Sequence, residues 1–180
     1  MLALAGCHHN HLEVTATPDN SLHGVTTADK VWIVAESGRS PADTTVAFAP
    51  AEGRTIVLRN PGDKAIYLIL EIPPDTSGHA TGDSGRVTIQ PTAGQYSATF
   101  TASGTMPAGT MATFAYPLHF KTPPEAAAKY PSPERLAAML SPAEMIAGGK
   151  VQVVTADRPA ADMIRFPVAH AGTYALVFPR

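Results

Sequence analysis

From Lys30 to about Lys121, apolar residues recur at every second position in short runs, and each run stops at Gly, Pro, Asn or Ser. That is the period of strands with one face buried. Val31–Ala35 is a compact, continuously apolar β-prone run closed by Ser37-Gly38, and Thr44–Ala49 and Arg54–Arg59 are the first alternating ones. Asn60-Pro61-Gly62-Asp63 then offers a turn, because Pro presets φ and Gly accepts positive φ. Ala65–Ile72 follows as the most apolar run of the chain. Residues 54–72 therefore read as a β-hairpin, and its second strand, apolar on both faces except at Glu71, suits the middle of a sheet. Arg86–Gln90 and Gln95–Thr101 are two further strands around Pro91-Thr92-Ala93-Gly94, with Tyr96, Ala98 and Phe100 on one face. Met111–Phe120 places Phe114, Tyr116, Leu118 and Phe120 on one face and Met111, Thr113, Pro117 and His119 on the other. Pro117 cannot donate to a ladder, which predicts an edge or a bulge there.

Between 123 and 148 the spacing turns helical. Pro123–Lys129 carries helix-favouring Glu and Ala. Ser132 is placed as an N-cap, Pro133 at the first helical position and Glu134 in the first turn. Leu136, Met139 and Leu140 supply an apolar stripe. Ser141-Pro142-Ala143-Glu144 repeats the capping pattern, and Gly148-Gly149 closes a second short helix. Val151–Ala156, Met163–Phe166 and Thr173–Phe178 return to strands. The pattern predicts a mostly β protein, an antiparallel β-sandwich with a short helical insertion near 123–148. Residues 8–29, rich in Thr, Pro, Asp, Asn, Ser and His, read as a polar tether with one possible strand at Leu12–Thr17, so the sandwich is expected over 30–180.

One pattern occurs twice. Residues 87–100 and residues 164–178 both read strand, Pro (Pro91, Pro167), short loop, Gly-x-Tyr (Gly94 to Tyr96, Gly172 to Tyr174), strand. The Tyr ring is expected to pack inward while its hydroxyl reaches a loop carbonyl. These two stretches resemble the terminal hairpins of immunoglobulin-like and bacterial pre-peptidase C-terminal-type sandwich domains. The resemblance implies an immunoglobulin-like or jelly-roll-like sandwich.

Composition narrows the classes. The chain has 180 residues, 44% hydrophobic and 16% charged, so a packed core is expected without disulfides. Formal net charge is −2, and no Lys/Arg cluster offers the footprint that nucleic acid needs. No apolar run approaches the roughly 18 residues of a membrane-spanning helix.

The sole cysteine, Cys7, ends the stretch Leu4-Ala5-Gly6-Cys7 and is followed by polar residues. This resembles the lipobox of bacterial lipoproteins, in which a signal peptidase cuts before the Cys and its sulfur carries a diacylglycerol. The resemblance implies lipidation of Cys7, residues 1–7 as the remnant of the signal, and membrane contact through the lipid. In Gram-negative members of that family, a residue other than Asp after the Cys implies the outer membrane; here it is His8. Only six residues, none charged, precede Cys7. A signal peptide needs a positive start and an apolar core of about 7–15 residues. Either translation begins upstream of Met1, or the match is accidental.

His8, His9 and His11 could ligate Cu²⁺, Ni²⁺ or Zn²⁺. The alternative, favoured here, is a polar tether in which His is merely hydrophilic. Four other constellations are weaker. Gly82-Asp83-Ser84-Gly85 matches the nucleophile motif of chymotrypsin-like proteases, but the companion His motif is absent and the chain is too short for a double barrel. Asp75 and Asp83 are too few carboxylates for a Ca²⁺ loop. Met111 and His119 lie eight positions apart, about 27 Å along a strand, so with Met106 they cannot share a copper ion unaided. Trp32, Tyr67, Tyr116 and Tyr130 could build a sugar-stacking platform, although aromatic residues on strands are more often core. The expectation is a non-enzymatic, lipid-anchored envelope protein without cofactor, a binding or structural module whose ligand the sequence does not name, a protein or glycan of the envelope being the candidates. A periplasmic metal-binding protein and a carbohydrate-binding module are the alternatives.

Overall fold

The computed structural model describes residues 22–75, 84–116 and 120–180. Fourteen strands and one α-helix occupy them, and every strand pair is antiparallel. The strands are β1 (Val25–Thr27), β2 (Val31–Ile33), β3 (Ala35–Glu36), β4 (Thr44–Phe48), β5 (Arg54–Arg59), β6 (Ile66–Ile72), β7 (Gly85–Pro91), β8 (Ser97–Ala102), β9 (Met111–Ala115), β10 (Phe120–Lys121), β11 (Ser141–Ile146), β12 (Lys150–Val153), β13 (Met163–Pro167) and β14 (Gly172–Pro179). Helix α1 spans Pro133–Met139. The larger sheet runs β1-β12-β11-β14-β8-β7-β4, with β2 also paired to β14. The smaller sheet runs β13-β9-β6-β5, and β3 pairs with β10. The expected mostly β, antiparallel architecture is thus present, consistent with a β-sandwich.

The core lies between the two sheets. Ile56, Leu58, Leu68, Leu70, Ile72, Ala112, Phe114, Ile164 and Phe166 come from the smaller sheet, and Val87, Ile89, Ala98, Phe100, Tyr174, Leu176 and Phe178 from the larger. Strand β14 is buried on both faces. Its Ala175 and Val177 point away from the main core into a second cluster with Val31, Ala143 and Val151. This is why residues 173–178 read as one continuous apolar run rather than an alternating one.

Tyr67 ties the sheets together. Strand β6 bulges where the register passes from Leu58↔Leu68 to Arg59↔Ile66, and the skipped residue is Tyr67. A bulge re-aims a side chain, and consecutive Tyr67 and Leu68 are both fully buried. The Tyr67 hydroxyl can donate to the carbonyl of Gln95 at 2.8 Å or of Ser97 at 2.9 Å, and it accepts from the Ser97 N–H at 3.2 Å. Its ring stacks on Tyr96 at 5.5 Å and meets Phe114 edge-on at 5.8 Å. The contact falls where β2 and β8 meet end to end beside β14. There Val34 N–H donates to Leu176 O at 2.9 Å, Leu176 N–H to Tyr96 O at 2.8 Å, and Tyr96 N–H to Val34 O at 3.0 Å, closing a three-membered ring of backbone bonds.

Three expectations change. The sandwich begins before Lys30, because Val25–Thr27 pairs with Lys150–Gln152 at the edge of the larger sheet. The expected second helix over 141–148 is instead β11, paired with both β12 and β14. Gly148 and Gly149, at φ 75° and 68°, make the β11–β12 turn rather than ending a helix. The repeated strand-Pro-loop-Tyr pattern also has two outcomes. Its first copy is the hairpin β7–β8 within the larger sheet. Its second copy crosses the sandwich, with β13 in the smaller sheet and β14 in the larger. Tyr174 does pack inward, and its hydroxyl reaches the His170 carbonyl at 3.3 Å. Helix α1 starts as the sequence predicts, with the Ser132 side chain accepting from Arg135 N–H at 3.2 Å. Arg158 closes its far end, donating to the carbonyls of Ala137 at 2.9 Å and Leu140 at 2.8 Å and to the Tyr116 hydroxyl at 3.1 Å.

Two outcomes are expected. Tyr67→Phe removes the cross-sheet hydroxyl and strands buried partners, so the unfolding free energy in urea should fall by about 1–3 kcal/mol. Burial also raises the phenol pKa of Tyr67, Tyr130 and Tyr174 above the usual 10.0. A raised pKa favours the neutral phenol of the folded chain, so this stability is complete below about pH 10 and is lost as pH climbs further. Urea unfolding followed from about pH 8 to 11.5, with tyrosinate absorbance, checks the sign.

Candidate functional site

Two open clefts lie side by side at one end of the sandwich, and both are walled by Pro73 and Pro74. Gly53 makes the turn beneath them. Its φ is +67°, and a Cβ there would stand 2.4 Å from the Ile72 carbonyl oxygen and 2.7 Å from Pro74 N. The turn is held by Gly53 N–H to Ala49 O at 3.1 Å, and Asp75 N–H to Pro50 O at 2.8 Å ties the proline segment to it.

The first cleft encloses about 670 Å³ and is mostly apolar, with Phe48, Pro50 and Pro107 facing Asp75, Ser103 and Thr105. The tip of the Phe48 ring lies against Gly85, where a Cβ would be 2.4 Å from Cζ. The second cleft, about 590 Å³, is charged and includes Glu52, Arg54, Thr55, Glu71 and Arg165. Here Arg165 Nη2 meets Glu71 Oε2 at 3.1 Å across the outer face of the smaller sheet. Both side chains are partly exposed, so the pair adds little stability, and its use is to fix where the charges stand. Beside it the ladder aligns Val57, Ile69, Thr113 and Arg165 in one row and Thr55, Glu71 and Met111 in the next. Such a surface can hold carboxylates against Arg54 and apolar groups against the prolines, which is binding chemistry.

The residues singled out in the sequence do not assemble here. Cys7, His8, His9 and His11, and the possible strand Leu12–Thr17, lie outside the described residues, as do Asp83 and His119. Asp75 lines the first cleft. Met106 is buried in the core, whereas Met111 is half-buried on the outer face of β9. Among the described residues no group of three His, Cys, Asp or Glu side chains is placed to hold a metal ion. Tyr67, Tyr116 and Tyr130 are buried, and Trp32 is half-buried. Trp32 meets Tyr130 at 78° and Phe178 at 38°, with the Arg180 guanidinium 5.6 Å from its ring. These four rings form no exposed coplanar pair. The charged cleft was not foreseen. Glu71 was visible as the lone charge in an apolar strand, but Arg54 and Arg165 join it only because β13, β9, β6 and β5 become neighbours.

No helix among the described residues is long and apolar enough to cross a membrane. No protein-family model, curated protein or solved structure matches this chain. The fold alone gives the class, a mostly β protein of antiparallel sheets consistent with a β-sandwich.

Gly53→Ala should destabilise the chain by about 2 kcal/mol or more, through the left-handed backbone and the clash with Ile72 O. A urea titration of the variant checks it; an unchanged midpoint would show that the turn relaxes freely.

Proposed function

We propose that this chain is a non-catalytic binding or structural module of the bacterial cell envelope, held to a membrane through a lipid on Cys7. The observation that carries the reading is the motif Leu4-Ala5-Gly6-Cys7 beside the only cysteine of the chain. His8 after the cysteine favours the outer membrane within the lipoprotein resemblance. A β-rich domain with two open clefts among its described residues accords with binding a protein or a glycan in the envelope. One lipidated cysteine bearing several acyl chains is enough for stable anchoring, since each buried CH₂ contributes about 0.8 kcal/mol. In this reading His8, His9 and His11 are the polar start of the tether rather than a metal site.

The test is metabolic labelling with a fatty-acid probe in a Gram-negative host, with the chain expressed from its native locus. The wild type is expected to carry the label and to sediment with membranes, and Cys7→Ser to lose both. An unlabelled wild-type chain in the soluble fraction would refute the anchor.

A further inference from the structure

Strands β1, β4, β13 and β5 end the long paths of the two larger sheets. Strand β1 has only three residues. Strand β4 has five residues, none of them charged. The outer backbone of β13 is taken at Arg165, whose N–H and carbonyl exchange 2.9 Å bonds with Asp157. Strand β5 is the longest of the four and carries two arginines: it has six residues without proline, and no strand among the described residues pairs with its outer edge. Such an edge presents a row of unpaired backbone donors and acceptors, a template for another strand. At its centre Val57 is 42% exposed, one of two large apolar side chains left in water among the described residues.

We propose that the outer edge of β5 is a docking strand for an extended, acidic segment of another protein. Charge selects the occupant. Strand β5 carries Arg54 and Arg59 and no carboxylate, and in the turn beyond Lys64 is balanced by Asp63, so the strand itself is cationic although the whole chain has net charge −2. Glu71 on the neighbouring strand is engaged by Arg165, and Glu52 precedes the Gly53 turn, outside the ladder. A second copy pairing through β5 would crowd four guanidinium groups onto one ladder, whereas an acidic strand neutralises them. Antiparallel register defines the motif. An acidic residue opposes Arg59, an apolar β-branched residue opposes Val57 two positions on, and a second acidic residue opposes Arg54 three positions after that. The docking is independent of the lipid, so a chain carrying Cys7→Ser binds equally.

The test measures binding of labelled peptides to the full chain by fluorescence anisotropy. The peptide Glu-Thr-Val-Thr-Thr-Glu is expected to bind and to weaken as salt rises. Its Lys-for-Glu counterpart should bind less. Replacing both Arg54 and Arg59 by Ala should weaken the acidic peptide about five-fold, the worth of two cross-strand charge pairs. Arg59 also donates to the Lys64 carbonyl at 3.0 Å, so a second readout leaves the protein untouched: methylating alternate backbone nitrogens of the acidic peptide should abolish binding to the wild type. Equal binding of acidic and basic peptides, survival of the methylated peptide, absence of binding, or a dimer that Val57→Lys dissolves would each overturn the proposal.

Discussion

The hydroxyl of Tyr67 is the point on which the two sheets agree about their registry. It leaves the smaller sheet at a bulge and ends between the carbonyls of Gln95 and Ser97 on the larger. Hydrophobic burial alone would leave two apolar faces free to slide, because it is non-directional. A buried hydrogen bond is directional, and leaving its partners unsatisfied costs more than the bond contributes when made. Tyr67 sits beside the ring of bonds joining Val34, Tyr96 and Leu176, so one side chain locates β2, β8 and β14 against β6. The stack with Tyr96 and the edge contact with Phe114 fill the space around the hydroxyl and keep water from competing for it.

Strand β14 organises the rest. It bonds to β11 on one side and to β8 and β2 on the other, and it buries both faces. A strand so enclosed must sit in the middle of a wide sheet, which pushes short or guarded strands to the rims. The smaller sheet has only four strands, and its rim at β5 is left uncovered among the described residues. The charged cleft at Pro73 and Pro74 adjoins the start of β5, whose Arg54 and Thr55 line it. Function of a binding kind is proposed for the place where packing stops.

Much of the fold was legible. The period-two runs around Ile56, Leu58, Leu70 and Phe100 found their strands because alternate residues face a core whichever neighbour they pair with. The Ser132-Pro133-Glu134 cap found α1 because capping is a contact among adjacent residues. Ser141-Pro142-Ala143-Glu144 carries the same local signal and nevertheless became a strand. The vacancy between β12 and β14 overrode it, and no residue within 141–148 reports that vacancy. The repeated Pro-loop-Gly-x-Tyr pattern failed in the same way. Both copies specify strand, turn and inward tyrosine, but neither specifies whether the chain stays in its sheet or crosses to the other.

The sequence by itself determined the type of most elements, though not of 141–148, together with inward and outward faces and the lipobox-like start at Cys7, since these depend on neighbouring residues and on period. Only the tertiary structure decided sheet membership, the bulge that turns Tyr67 inward, and the meeting of Arg54, Glu71 and Arg165 in one cleft. Those contacts join residues far apart in the chain. Their free energy depends on which strands become neighbours, and local pattern leaves that choice degenerate.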